Sequence, residues 1–271
     1  MQTNNIFRSL HQGPELLLLP NAWDAGSARL IESLGAAAIA TTSAGVAWSR
    51  GYADGDVLPI EQLLAAVREI ARVIRVPLSV DIEGGYSSDP TVVAQLVTRV
   101  VDLGAVGVNV EDGAGSPDLL CAKIEAARRA AASSGVDLFI NARTDVYLRE
   151  LATGDAAVEE VIGRAKRYQA AGCDGIFVPI LTDDRSIEAI AAAVAPLPLN
   201  IMLMPGLPSN SVLYQLGVRR LSAGSAISQA ALGFAGQLAK DFLAGSSDEM
   251  FAKAADYGSL NQLFLKTTPK A

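Results

Sequence analysis

The sequence holds one histidine and two cysteines in 271 residues, and these scarcities exclude several chemistries at once. His11 precedes the first strand-like run, so neither a histidine general base nor a histidine-dependent triad has a residue to use. Cys121 and Cys173 show no short metal-ligand spacing, which argues against a structural zinc site or a disulfide framework and suits a reducing compartment. Basic residues are also sparse. The 22 Lys and Arg against 29 Asp and Glu give a formal charge of −7, with no stripe to follow a phosphate backbone or an anionic lipid surface. No apolar run approaches the roughly 20 residues that span a bilayer, and the polar segment Met1 to Gly13 carries no apolar signal core. The expectation is a cytoplasmic protein whose partner is a small molecule, not nucleic acid or membrane.

Half of the residues are hydrophobic and 19% are charged, a balance that supports a large buried core. Eight short apolar runs bounded by turn signals read as strands: Leu16 to Leu19, Ala37 to Thr41, Leu78 to Ile82, Val106 to Val110, Leu138 to Ala142, Gly175 to Val178, Leu199 to Leu203 and Arg219 to Ser222. Several are near-continuously apolar, as parallel strands buried on both faces are. Helical patterns separate them, and a Gly that can end a helix recurs just before a strand at Gly35, Gly104, Gly172 and Gly217. Eight such βα units are enough to close a (β/α)8 TIM barrel, an α/β fold that forms one domain at about 250 residues. The expectation is a single barrel domain over residues 1–271, with additional C-terminal helices from Ala226 onward. An open doubly wound sheet is the alternative, but no Gly-rich dinucleotide fingerprint follows the first run.

Barrel chemistry collects where strands end. The second run ends in Thr42-Ser43-Ala44-Gly45, the third in Asp81-Ile82-Glu83-Gly84-Gly85, the fourth in Glu111-Asp112-Gly113 and the fifth in Asn141-Ala142-Arg143-Thr144-Asp145. Asp81 and Glu83 are two apart and would face one side, with Glu111 on the next strand, so three carboxylates are expected to converge. Such a cluster needs a cation, a shared proton or a basic partner. Magnesium suits hard oxygen ligands, manganese is an alternative, and a buried ion-pair network is the other explanation. Arg143 offers a planar fork for a substrate carboxylate, or merely neutralises the acids. Thr42 to Gly45 offers approachable backbone N–H groups at a strand-to-loop turn, or its small residues reflect tight packing. Arg50 and Asp54 lie in a glycine-bearing loop, residues 48–56, that could move over the site, the alternative being that these charges are simply solvated. Cys121 is placed at the start of a helix from Lys123 to Ala132, where a helix N-terminus can lower a thiol pKa; burial in a capping turn is the competing reading. Cys173 reads as packing.

On these motifs the chain resembles the isocitrate lyase/phosphoenolpyruvate mutase superfamily over nearly its whole length. Asp81-Ile82-Glu83-Gly84-Gly85-Tyr86 looks like the family's Asp-x-Asp-x-Gly-[Tyr/Phe] metal strand, with Glu83 in place of the second Asp. Glu111-Asp112 and the Asn141 to Asp145 run match two further family motifs. Thr42 to Val46 falls where the family binds an oxo-acid carboxylate, and Asp54 where it carries a loop aspartate. The resemblance implies a magnesium-dependent lyase or hydrolase that acts on a C–C bond of a 2-oxo or 2-hydroxy carboxylate through a metal-stabilised enolate. Asp81, Glu83 and Glu111 would serve the metal, Thr42, Ser43, Ala44, Asp81 and Arg143 the substrate, Asn200 its far side, and Arg143 with Asp54 the catalysis. It also implies a homotetramer or homodimer that exchanges the last barrel helix between subunits. A phosphonate P–C mutase or hydrolase and a non-catalytic 2-oxo-acid-binding barrel are the alternatives. The family's Lys-[Lys/Arg]-Cys-Gly-His loop has no counterpart in the short Asp112 to Lys123 stretch, which places the chain among oxaloacetate- or 2-oxoglutarate-binding types. Phe177 to Leu181 and Asn200 to Met204 give this pocket a more apolar lining.

Overall fold

The computed structural model describes residues 3–252 and 254–265. Its elements run, in chain order, α1 (Thr3–Leu10), β1 (Leu17–Leu19), β2 (Asn21–Ala22), α2 (Ala25–Ser33), β3 (Ile39–Thr41), α3 (Ser43–Ser49), α4 (Ile60–Val73), β4 (Leu78–Asp81), α5 (Pro90–Asp102), β5 (Gly107–Glu111), α6 (Pro117–Ser133), β6 (Phe139–Arg143), α7 (Gly154–Ala170), β7 (Gly175–Val178), α8 (Asp184–Val194), β8 (Leu199–Met202), α9 (Asn210–Gln215), β9 (Val218–Ser222), α10 (Ala226–Leu243) and α11 (Tyr257–Leu265). All strand pairs are parallel, in the order β1-β9-β8-β7-β6-β5-β4-β3-β2. β1 and β2 are one barrel strand interrupted at Pro20, which has no N–H for the ladder. Its first half pairs with β9 and its second with β3, so the sheet closes as a (β/α)8 barrel with extra C-terminal helices. Each expected strand is present, and β2 extends the first.

The wall-to-helix layer is aliphatic, built from residues such as Ile39, Val80, Val108, Ile140, Ile176 and Ile201. The inward layer is not. Asp81, Asn109 and Asn141 stand in register on β4, β5 and β6, and the Asn141 amide donates to Asn109 Oδ1 at 2.9 Å. Below them Arg220 is fully buried. Burial pulls its pKa down to about 9, and its Nη2 reaches only Asn109 Oδ1, at 3.4 Å. A polar interior of this kind leaves hydrogen-bonding groups directly beneath the mouth.

A second apolar cluster of Phe7, Leu17, Leu19, Ala38, Ala40, Val106 and Phe139 includes the α1 residue Phe7. His11 belongs with this plug and not with the mouth. It is buried, its ring stacks on Phe139 at 4.2 Å, and its Nδ1 pairs with the Phe7 carbonyl at 2.9 Å. Burial and the nearby Arg220 charge lower its pKa to about 3. Because the folded state then binds a proton less readily than the unfolded chain, this histidine's contribution is complete above pH 6.5 and is lost as pH falls toward 3. Lowering the pH from 7 to 5 should cost about 2 kcal/mol through His11 alone. Urea unfolding of wild type and His11→Gln at both pH values checks this: the pH dependence should shrink by that amount in the variant, and equal slopes would refute it.

α10 breaks the pattern of helices packed on the wall. Ser228 is its one buried residue, while Leu232, Phe242 and Leu243 are exposed. On the barrel wall Leu18 is 51% exposed, and an apolar groove of about 760 Å³ runs along Leu16 to Leu19 between Ile31, Leu34, Leu203 and Ile227. Among the described residues no helix is long and apolar enough to cross a membrane.

Candidate active site at the C-terminal mouth

A cavity of about 210 Å³ opens where the strands end. Six of the expected residues line it: Thr42, Ser43, Ala44, Asp54, Asp81 and Arg143. Asp81 is the last residue of β4 and is fixed on three sides. Its N–H donates to Thr41 Oγ1 at 2.8 Å, its Oδ1 accepts from Glu83 N at 3.2 Å, and its Oδ2 accepts from Ser43 N at 3.4 Å. Burial raises its pKa, Arg143 and the two backbone donors oppose the rise, and Asp54 adds to it.

The segment after Thr42 is helical, where a strand-to-loop turn was expected. Thr42 is the residue before α3, and the first-turn N–H groups of Ala44 and Gly45 therefore have no acceptor inside the helix. Gly45 is required by close packing: a Cβ there would lie 2.8 Å from Thr42 Cγ2 and 3.1 Å from Ser228 Oγ.

The three acids do not converge as expected. Among the described residues, no three of His, Cys, Asp and Glu form a group that could hold a metal. The reason is local. β4 stops at Asp81, so the strand alternation that would have aligned Glu83 ends two residues early, and Glu83 turns the chain with φ +51°. Its Oε2 accepts from the N–H groups of Gly55 (2.9 Å) and Asp56, and its Oε1 from the Tyr86 hydroxyl at 2.6 Å. Glu83 thus anchors the loop that presents Asp54. A non-glycine residue in the left-handed region costs about 1–3 kcal/mol and persists only where surrounding bonds determine it, which these three bonds do.

Glu111 turns to Arg143, with Oε2 2.6 Å from Nη1. Burial pushes its pKa up to about 8 against the pull of Arg143, with Asp81, Asp145 and Glu83 adding to the rise. Arg143 is also held side-on by the fully buried Asp145, through Nε at 2.7 Å and Nη2 at 3.2 Å. Burial works against its charge, but Glu111, Asp145 and Asp81 outweigh that and hold its pKa above the ordinary arginine value. Two of its five N–H groups donate hydrogen bonds, both to Asp145, while Glu111 Oε2 accepts none, so both N–H groups of Nη1 and one of Nη2 remain.

Behind this pair, Asp112 Oδ1 accepts from Asp145 N at 2.9 Å, and its Oδ2 accepts from Arg164 Nη1 at 2.8 Å and the Tyr168 hydroxyl at 2.5 Å. Asp112 was legible only as part of a motif, since its partners on α7 are more than 50 residues away in sequence.

Asn200 does not line the mouth. It lies on β8 in register with Phe177 and Arg220, with Oδ1 accepting from Ser222. The sequence reading also missed Asn21, Asn109, Ser222 and Ser225 as lining residues. Asn21 had no motif to mark it; its Oδ1 accepts from Gly224 N and its amide donates to the Thr41 carbonyl, so it ties three strand ends together.

Cys121 sits in the second turn of α6, which begins at Pro117 and is capped by Ser116. Burial raises its thiol pKa, so the helix start does not activate it. Cys173 is buried, and desolvation pushes it up to about 12.

The family model for phosphoenolpyruvate phosphomutase matches residues 7–243. An uncharacterized protein of Mycobacterium tuberculosis is 35% identical over 259 residues, covering 94% of each chain. An oxaloacetate decarboxylase of Paraburkholderia xenovorans is 32% identical over 81% of this chain and 74% of its own. A phosphonomutase-like crystal structure from Burkholderia cenocepacia superposes with a TM-score of 0.84 at 39% identity, covering 89% of this chain and all of that one. With its motifs at the mouth of a closed barrel and matches of this extent, the chain belongs to the phosphoenolpyruvate phosphomutase family of the isocitrate lyase/phosphoenolpyruvate mutase superfamily and is an enzyme of that lyase and mutase type.

Proposed function

We propose that this enzyme is a magnesium-dependent lyase or hydrolase that acts on a C–C bond of a 2-oxo or 2-hydroxy carboxylate. One observation carries the reading: Asp81, Arg143 and the start of α3 share one small cavity. The donor chemistry fits magnesium, which takes one or two carboxylates directly and keeps waters, so a full cage of three acids is not required. Asp81 would hold the ion, and Glu83 and Glu111 would act on its surroundings from behind. When bound, the ion supplies Lewis-acid charge beside the substrate's 2-oxo carboxylate.

The chain's own residues do the rest. The N–H groups of Arg143 that Asp145 leaves open and the first-turn N–H groups of α3 hold and orient the carboxylate. Asp145 fixes the plane of the Arg143 fork, so little orientation is lost on binding. Asp54, the other carboxyl on the lining, is positioned to exchange a proton with a substrate hydroxyl or a water. Release of a 2-oxo acid from a panel of 2-oxo and 2-hydroxy mono-, di- and tricarboxylates, with magnesium and with chelator, tests the reading. Magnesium-dependent release supports it; ligand-dependent thermal shifts without any turnover would replace it with a binding role.

Two expected outcomes follow at this site and its assembly. Asp81→Ala should lower magnesium affinity more than Glu83→Ala or Glu111→Ala, because of these three acids only Asp81 lines the cavity; equal affinities by calorimetry would reject the assignment. The exposed apolar residues of α10 and the open groove along β1 support a dimer or tetramer in which α10 of one subunit covers the groove of another. Residues 266–271 of the C-terminal segment lie outside the described residues. Sedimentation at micromolar protein should give an oligomer that Leu232→Glu shifts toward monomer, and a monomeric wild type would refute the exchange.

A further inference from the structure

The cavity has two unlike sides. Asn21, Thr42, Ser43, Asp54, Asp81 and Ser222 form a polar arc, whereas Leu148, Phe177, Pro179 and Met202 form a continuous apolar arc at the ends of β6, β7 and β8. Arg143 stands at their boundary, its guanidinium 5.9 Å from the centre of the Phe177 ring. Among the described residues it is the one cation on the lining.

Among the described residues the lining holds no second cation for a second anionic group. Arg143 is paired with Glu111 and Asp145, Arg149 with Asp145 at 3.3 Å, and Arg220, fully buried beneath the mouth and off the lining, faces Asp81. Arg164, further back, is bound to Asp112 and Glu160. A divalent ion at Asp81 together with Arg143 can balance one substrate carboxylate on the polar arc. A second carboxylate, or a phosphonate, would have to lie against Leu148, Phe177 and Met202, losing its hydration without gaining a partner.

We infer that the substrate is a small 2-oxo or 2-hydroxy monocarboxylate whose group beyond the bond to be broken is neutral and apolar, received by the Leu148, Phe177, Pro179 and Met202 arc. The inference rests on the functional reading above and narrows it. The volume of about 210 Å³ lies below the range of about 300–1,000 Å³ common for drug-sized ligands, which limits the group to a few carbons. Selectivity arises by exclusion, since the apolar arc penalises a charged competitor more than it rewards the neutral one.

A calorimetric comparison in magnesium of 2-oxopentanoate, 2-oxoglutarate and oxalate tests this. The first two share a five-carbon skeleton and differ in a terminal methyl against a carboxylate, while oxalate resembles the carboxylate and 2-oxo end and has no group to reach the apolar arc. 2-Oxopentanoate should bind at least about tenfold more tightly than 2-oxoglutarate, and Met202→Arg should narrow or invert that ratio. Tighter or equal binding of 2-oxoglutarate by the wild type, with oxalate bound, would overturn the inference and leave the functional reading standing. If oxalate itself fails to bind, the functional reading falls and takes the inference with it. The wild-type ratio decides the question whether or not the Met202 variant folds.

Discussion

Arg143→Ala is expected to lower kcat/KM by about 10²–10³-fold, the loss typical when a fixed donor to a developing anion is removed from a water-poor site. The side chain is well determined in position: Asp145 accepts from Nε and Nη2, Glu111 lies against Nη1 as an ion pair, and the ring of Phe177 lies beside it. Arg143→Lys should recover little, because a single ammonium cannot span Asp145, Glu111 and a substrate carboxylate at once. Cys121→Ser provides the contrast. Its thiol lies on α6 with a pKa raised by burial, and the stretch from Gly113 to Ser116 before the helix is too short to carry it over the mouth. That variant should keep most of the wild-type activity, whereas a thiol-dependent lyase would lose it. The opposite ranking of the two variants, with both shown to be folded, would sink the assignment of Arg143.

Asp112→Ala should be the most damaging single change to stability, by about 3–5 kcal/mol, because it strands the other members of a buried charged network. Asp112 has a fully buried side chain that receives Arg164, Tyr168 and the N–H of Asp145. Removing it leaves a largely buried guanidinium without its main anion and a buried phenol without its acceptor. The consequences should also reach the site, since Asp145 follows directly from the β6 end that Asp112 holds. Asp112→Asn should cost less, as the amide can still accept from Asp145 N. Urea unfolding measures the difference, and a loss below about 1 kcal/mol for Asp112→Ala would show that the network contributes far less than a buried network of this type should.

The barrel was legible because its strands are short apolar runs and its helix ends carry glycine, two local signals that survive without tertiary information. The break at Pro20 was marked by the proline itself, yet only the pairing of β1 with β9 and β2 with β3 shows that it closes the sheet. The site was legible in part. Asp81 and Arg143 end strands, so alternation alone aims them at the mouth. Glu83 misled because alternation was carried past the end of β4, where a left-handed residue redirects its side chain to the Gly55 and Asp56 amides. The extent of α6 was also misjudged: a proline at its first position and a serine cap start it six residues before Lys123, which moves Cys121 off the helix start. Leu148, Met202 and Ser225 come from different turns of the barrel, and no spacing in the sequence announces that they meet.

Oxalate, a planar dianion that resembles the enolate of a 2-oxo acid, gives the most direct measurement of whether Asp81 and Arg143 form one binding site. Titrated by calorimetry into the wild type, Asp81→Ala and Arg143→Ala, each with magnesium and with chelator, it should bind the wild type only when magnesium is present. Affinity should fall by at least about 100-fold in either variant, in line with the loss of one directly held charge. Oxalate binding of equal strength without magnesium and in both variants would contradict a carboxylate site built on Asp81 and Arg143.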